Sequence, residues 1–259
     1  MDYNEFKKSV QGLTHIDLGD YKERQMKRRI DTLMRRNNFF QYDEYIRALR
    51  VNKELYAEFI SLLTINVTEF FRNKERWEVL KQVIVPELLT KRNKINVWSC
   101  ACSTGEEACS AVILLLEHLA QEYVNVLATD IDQESLDCAK SGVYSNDSKA
   151  KLPIDIQTRY FEMKENQSVI RKQVSDCITY KRLDLLKDRY PVDIDLILCR
   201  NVMIYFTDEA KDRIYHRLYD SLRVGGYLFV GNTEQILSCN RYGFQVTNSF
   251  FYKKEAIHR

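Results

Sequence analysis

From Ile95 onward the chain alternates short, nearly unbroken apolar runs with helix-length amphipathic stretches, and this alternation restricts the possible folds more than any other feature. The runs are "INVWSCAC", "VNVLATDI", "IDLILCRN" and, after the Gly225-Gly226 turn, "GYLFVGN". Helical patterns separate them, from Glu106 to about Leu119, through "ESLDCAKS" and along "DEAKDRIYHRLYDSL". A strand that is apolar on both faces must be covered on both, and strands joined through helices run parallel. The pattern therefore predicts a doubly wound α/β domain. Two stretches depart from it. About residues 155–181 the text is polar, with short alternating pieces such as "QSVIRKQV" and "CITYKRL", and fits a small antiparallel β-subdomain inserted in the main one. The end, "FQVTNSFFYKK", alternates as an antiparallel edge pair would.

The residues ahead of this region carry helical periods and little strand signal. In "DYKERQMKRRIDTLMRR" the apolar Met26, Ile30, Leu33 and Met34 recur at the spacing of one helical face, and Lys22, Arg24, Lys27, Arg28, Arg35 and Arg36 occupy the rest of the surface. "YDEYIRAL" and "KELYAEFISLL" read as two further amphipathic helices. The expected organisation is a small all-helical domain with its linker over residues 1–70, then the α/β domain over 71–259.

Composition narrows the function classes. The net charge of +2 argues neither for nor against nucleic acid, but from Asp20 to Asn38 seven Lys/Arg stand against three Asp/Glu. No apolar run reaches the ~18 residues of a membrane span. Met1 to Lys8 is polar and lacks a signal-peptide core, so a cytoplasmic chain, not membrane-inserted, is expected. Seven cysteines, odd in number and scattered through apolar segments, read as free thiols. Cys100 and Cys102 lack the second pair or nearby histidine that would complete a zinc site, so no metal is expected.

Ligands of open α/β sheets lie beyond the carboxyl ends of the strands. There the sequence places Ser103-Thr104-Gly105-Glu106-Glu107, Asp130 and Asp132, Asp184, and Cys199-Arg200-Asn201. A phosphate loop needs G-x-x-x-x-G-K-[ST] and a dinucleotide site G-x-G-x-x-G; the turn after the first strand has only Gly105 and two acids, which repel a pyrophosphate. S-adenosylmethionine suits such acids, since its ammonium meets a carboxylate and its ribose hydroxyls meet the acid ending the second strand, Asp130. Simpler readings stand beside this one. Glu106 and Glu107 complement a helix dipole, and Asp130 caps the following helix.

Four stretches, in order and spacing, resemble the chemotaxis receptor methyltransferases, the CheR family: "NVTEFFRN" (66–73), "WSCACSTGEE" (98–107), "ATDID" (128–132) and "LILCRNVMIYF" (196–206). The resemblance runs from about residue 10 to 254. It implies a Rossmann-like S-adenosylmethionine-binding domain with an inserted β-subdomain, a helical domain before it, and methyl-ester formation on glutamates of chemoreceptors, with S-adenosylhomocysteine as the second product. Carried over by position, it implies cofactor contacts at Asn66, Thr68, Arg72, Glu107, Asp130, Asp184, Leu185, Arg200 and Asn201, with Arg72 and Tyr205 nearest the transferred methyl. The family commonly continues Glu-Glu-Pro-Tyr-Ser where this chain reads "EEACS".

The implied chemistry is coherent. A glutamate carboxylate is ionised at neutral pH and needs no general base, so alignment is the main task. Arg72 either clamps one acceptor oxygen or binds the cofactor's own carboxylate; its simpler role is an interdomain salt bridge. Tyr205 donates to the substrate or is a buried aromatic, and Asn66 and Thr68 either touch the cofactor or cap a helix. The basic helix is expected to dock on the acidic cytoplasmic helical bundle of a chemoreceptor, recruiting a monomeric enzyme to membrane-bound receptors. The turn "KENQ" (164–167) is short and free of glycine, which leaves binding of a receptor tail peptide open. A nucleic-acid amino-methyltransferase would show an Asn/Asp-Pro-Pro-aromatic turn, and the only prolines are Pro86, Pro153 and Pro191. Two rivals remain, a module that senses the cofactor without turnover and a glutamate methyltransferase acting on another helical protein.

Overall fold

A computed structural model of the chain describes residues 1–64 and 68–256, and the chain divides into two compact units. The first comprises residues 1–66 and 203–213, the second 67–202 and 214–259.

The first unit contains α1 (Tyr3–Thr14), α2 (Glu23–Arg36), α3 (Tyr42–Val51) and α4 (Lys53–Thr64). A capping box starts α1, with the Asp2 carboxylate accepting from the Glu5 amide while Glu5 accepts from the Asp2 amide. Met26, Ile30, Leu33 and Met34 of α2 are all buried, as their spacing requires. The centre is aromatic: Phe6 and Tyr45 each meet Phe59 edge-on, at 6.4 and 5.9 Å, which adds about 0.5–1.5 kcal/mol per pair beyond burial. Residues 203–213 join this unit through the backbone. Lys22 N donates to Tyr205 O and Thr207 N to Asp20 O, each at 2.9 Å, and Tyr21 pairs with Phe206 as an antiparallel bridge. Arg213 forms an ion pair with Asp20. The helical domain expected over residues 1–70 thus also holds a segment from far along the chain; main-chain bonding of this kind leaves no pattern of side chains to read.

The second unit opens with α5 (Lys74–Val79) and α6 (Val85–Leu89), joined by a widened helical turn at Leu80–Ile84. Then come β1 (Ile95–Cys100), α7 (Glu106–Leu115), β2 (Val124–Asp130), α8 (Gln133–Ser141), β3 (Val143–Tyr144), α9 (Asn146–Ala150), α10 (Ile154–Tyr160), β4 (Phe161–Lys164), β5 (Gln167–Ile170), α11 (Lys172–Ser175), β6 (Ile178–Arg182) and β7 (Ile194–Cys199). It closes with α12 (Asp208–Ser221), which the division between the units crosses, then β8 (Leu222–Val230), β9 (Phe244–Asn248) and β10 (Phe251–Lys254). The main sheet has seven strands in the order β6-β2-β1-β7-β8-β10-β9. Its first five are parallel, and β10 runs antiparallel to both β8 and β9, the edge pair that alternation predicts. Every residue of β7 is buried. That includes Asp195, which accepts from the Asn96 amide at 2.7 Å and pairs with Arg223.

The small antiparallel sheet, in the order β3-β5-β4, begins at Val143 and ends at Ile170, earlier than the 155–181 expected. "CITYKRL" is not part of it: β6 pairs in parallel with β2 at the edge of the main sheet. A half-exposed edge strand alternates in polarity as a hairpin strand does, so the pattern could not separate the two. The turn at 164–167 has Glu165 and Asn166 at φ 45° and 66°, the two-residue hairpin geometry, achieved without glycine. No helix among the described residues is long and apolar enough to cross a membrane.

Candidate active site

The carboxyl ends of β1, β2, β6, β7 and β8 carry the second unit's polar cluster. After Cys100 the chain turns sharply, with Ala101, Ser103 and Gly105 at φ 56°, 49° and 92°. A side chain at Gly105 would place its Cβ 2.9 Å from Ala139 Cβ and 3.1 Å from the hydroxyls of both Tyr144 and Tyr180, so glycine is required for space as well as conformation.

The two acids at the start of α7 are buried, and burial raises both carboxyl pKa values. Glu106 accepts from the Thr104 hydroxyl at 2.7 Å. Glu107 accepts from the Ser99 hydroxyl at 2.9 Å and from Arg200 Nη1 at 3.2 Å. The Arg200 charge opposes the rise at Glu107, while burial lowers Arg200 itself. Arg200 Nη2 donates to the Arg72 carbonyl at 2.7 Å and to Asn73 Oδ1 at 3.1 Å, and its guanidinium lies 4.5 Å from the centre of the Phe229 ring. Trp77 Nε1 adds a bond to the same Arg72 carbonyl at 3.1 Å, and the Phe71 amide donates to Ser110 Oγ at 2.9 Å. The backbone that carries Arg72 is therefore fastened on both sides of the residue, and its side chain is half-buried.

Asp130 spans two strand ends. One oxygen accepts from the Ser103 amide at 2.8 Å and the other from the Asp132 amide at 3.0 Å; burial pushes its pKa up to about 6. It does not cap α8. That position belongs to Asp132, which accepts from the Glu134 amide at 3.0 Å and the Ser135 hydroxyl at 2.9 Å. Glu234 repeats the Asp130 device one strand pair away: its Oε2 accepts from the amides of Asn201 and Gly231, at the ends of β7 and β8. This holds Asn201 at φ 59°. Beyond β6, Asp184 Oδ1 accepts from the Leu186 amide at 2.8 Å, and burial raises its pKa. Leu185 is buried, and Thr68 is half-buried outside any helix or strand. Asn66, also expected at the cofactor, lies outside the described residues.

The acids that suggested a cationic ligand are thus held by the chain's own donors, but a carboxylate has about four lone-pair sites and keeps capacity for more. Two buried atoms, Ser103 Oγ and Arg200 Nε, have no hydrogen-bond partner among the described residues. They follow β1 and β7, which are neighbours in the sheet. One hydroxyl and one cation fit a ligand that carries both hydroxyls and a carboxylate, as S-adenosylmethionine does. No group of three or more His, Cys, Asp or Glu among the described residues could hold a metal ion, and Cys100 and Cys102 are buried free thiols.

Tyr205 belongs to the helical unit, where it is half-buried and its carbonyl holds the Lys22 amide at the start of α2. Of the basic residues expected to face outward, Lys27 pairs with Asp31 at 2.8 Å and Arg36 with Glu58. Lys22 is half-buried, while Arg24, Arg28 and Arg35 are exposed and make no ion pair among the described residues. The sequence reading passed over Arg29, which turns inward. Its Nη2 donates to the Leu62 carbonyl, and its buried Nη1 has no partner among the described residues. Burial lowers its pKa against the influence of Tyr205. Ser103 lies in the turn that the sequence places at the strand ends but is not among the contacts the resemblance implies, and Glu234 is not expected as an anchor. Arg29 alone had a signal, its place beside the buried Ile30.

Comparison with known proteins agrees over both units. A family model described as "CheR methyltransferase, all-alpha domain" matches residues 1–64, and one described as "CheR methyltransferase, SAM binding domain" matches 66–251. A chemotaxis protein methyltransferase of Listeria innocua is 41% identical over 98% of this chain and 97% of its own, and that of Listeria monocytogenes 40% over the same shares. The chemotaxis protein methyltransferase of Borreliella burgdorferi is 30% identical over 85% of this chain and 83% of its own.

Proposed function

This chain belongs to the CheR methyltransferase family and is an S-adenosylmethionine-dependent methyltransferase; we propose that it esterifies glutamate side chains on the cytoplasmic helical bundle of a chemoreceptor, as a cytoplasmic monomer drawn to membrane-bound receptors. The observation that supports this acceptor is the outer ridge of α2. At 100° per residue, Arg24, Arg28 and Arg35 fall within about 40° of one another and extend over roughly 16 Å of helix. Three guanidinium groups in line, without an ion pair among the described residues, suit an acidic helical surface, steering encounter and fixing register.

When bound, S-adenosylmethionine supplies an activated methyl group. The chain's residues hold and orient. Ser103 and Asp130 are assigned to the ribose, Arg200 and Glu107 to the methionine end, with Asn201 beside them and Thr68 flanking. Asp184 and the Leu185 amide are assigned to the base, one strand further out, because β6 lies next to β2. Arg72 orients the acceptor carboxylate through charge-assisted bonds, leaving one oxygen to attack. Tyr205 is assigned as the second catalytic residue, as the family resemblance implies. A carboxylate acceptor requires no base, so acids already engaged with amides and with Arg200 suffice.

The test uses methyl-labelled S-adenosylmethionine and the cytoplasmic fragment of a chemoreceptor. Label that mild base releases as methanol, and that disappears when the receptor glutamates are replaced by alanine, is the expected result. Measured cofactor binding without base-labile label would refute carboxyl methylation of that receptor.

A further inference from the structure

The loop after β6 is built around one side chain that no part of the proposed chemistry uses. Arg217, on α12, reaches to residues 184–190 and donates from Nη1 to the Leu185 carbonyl at 2.8 Å and from Nη2 to the Asp188 carbonyl. Its guanidinium lies 3.8 Å from the centre of the Tyr190 ring. The Tyr190 hydroxyl donates to that same Leu185 carbonyl at 2.5 Å, and its ring meets Trp98 of β1 edge-on at 4.8 Å. Trp98 in turn is fixed by its indole bond to Thr129 Oγ1 at 2.9 Å. Inside the loop, the Asp184 amide donates to Asp188 Oδ2 at 2.8 Å.

The consequence is a fixed polarity. With the Leu185 carbonyl engaged by two donors and Asp184 Oδ1 by the Leu186 amide, the groups left to meet a ligand at this point among the described residues are Asp184 Oδ2, an acceptor, and the Leu185 amide, a donor. That pair matches the 6-amino group and N1 of adenine. It opposes hypoxanthine, whose O6 accepts and whose N1–H donates. We propose that Arg217 is a positioning residue that makes the cofactor site selective for a 6-aminopurine, by holding the Leu185 and Asp188 carbonyls so that neither can turn toward the base. This rests on the assignment of the base to Asp184 and Leu185 made above. Lysine could replace neither the paired bonds nor the stacking on Tyr190, because it is a point charge without a planar fork.

The test is calorimetric binding of S-adenosylhomocysteine and S-inosylhomocysteine to the full-length protein, with no turnover involved. The wild type should prefer the adenine compound strongly. Arg217→Gln should lower that preference about tenfold or more, because a site whose polar groups can reorient rejects the mismatched base less well. Arg217→Lys should fall between the two, and it provides the measurement if the glutamine variant does not fold. Asp184→Asn serves as the control for the base assignment, since its amide can donate to O6 and should itself reduce the preference. An unchanged ratio in the Arg217 variants beside a changed ratio in Asp184→Asn would overturn the role of Arg217 and leave the base assignment standing. An unchanged ratio in Asp184→Asn would overturn the base assignment and the inference with it.

Discussion

The ends of the parallel strands and the outer face of α2 are both rich in charge, and they use it in opposite ways. At the strand ends the charges turn inward. Asp130 and Glu234 each bridge two backbone amides, and Glu107 meets Arg200, whose side chain is 1% exposed. On α2, Arg24, Arg28 and Arg35 stay in solvent. Charges of the first kind are part of the fold, so removing one disturbs stability and ligand binding together. Charges of the second kind await a partner, and removing them should alter encounter and little else.

The largest effect should come from breaking the buried pair. Arg200→Ala leaves Glu107 buried without its cation and removes one of the two donors to the Arg72 carbonyl and the bond to the Asn73 side chain, and it should cost about 3–5 kcal/mol in denaturant unfolding. Binding of S-adenosylhomocysteine should be lost with it. Loss of binding at full stability would show that the inward charges are less structural than the comparison holds. Arg72→Ala comes next, and it probes the boundary between the two kinds, because the Arg72 carbonyl is structural while its side chain is only half-buried. Turnover at saturating cofactor and receptor should fall on the order of 100-fold, the cost of losing one oriented charge-assisted donor, with little change in melting temperature. Wild-type turnover in that variant would sink its assignment.

The sequence disclosed the outward charges more fully than the inward ones, for a physical reason. Helical periodicity separates buried from exposed positions on α2 residue by residue, so Met26, Ile30, Leu33 and Met34 were legible as core and the arginines as surface. The parallel sheet was legible in the same way from its unbroken apolar strands. At the strand ends the important contacts are between side chains and main-chain amides distant in sequence. Nothing in "GNTEQ" marks Glu234 as the acceptor for Asn201, and nothing in "ATDID" tells that Asp132 caps the helix while Asp130 bridges two turns. The β6 edge and the attachment of residues 203–213 to the helical unit escaped for the same cause, since backbone pairing has no residue code. At Arg29 the charge run around it outweighed the one signal of its inward turn, its place beside the buried Ile30.

Replacing Arg24, Arg28 and Arg35 together by alanine should raise the KM for receptor roughly tenfold and flatten its dependence on salt, as expected for rim charges that steer association. Stability should stay within about 0.5 kcal/mol, the usual range for surface substitutions. Calorimetric affinity for S-adenosylhomocysteine should not change. A fall in that affinity would erase the distinction between the two regions.

The smallest effect is also the most discriminating, because stability and binding should respond to pH with opposite signs. Burial pushes the Asp130 carboxyl up to about 6, against roughly 3.9 for an unfolded aspartate. Between those values the folded chain binds the extra proton, so the contribution of Asp130 to stability falls as pH rises from about 4 to about 6 and is level above. Binding should move the other way. A protonated carboxyl has one oxygen converted to a donor, which then faces the amide of Ser103 or of Asp132, and the turn after β1 loosens as the molecule gains stability. Affinity for S-adenosylhomocysteine should therefore drop severalfold as pH is lowered through about 6, a loss of one hydrogen-bond acceptor at most. Glu106, Glu107 and Asp184 are also shifted upward by burial, so Asp130→Asn, which cannot titrate, isolates the effect: both pH dependences should be shallower than in the wild type, and the difference is the share of Asp130. If affinity instead holds level or rises as pH is lowered through about 6, Asp130 is not the clamp on that turn, and the inward charges act by some route other than tying the strand ends to one another.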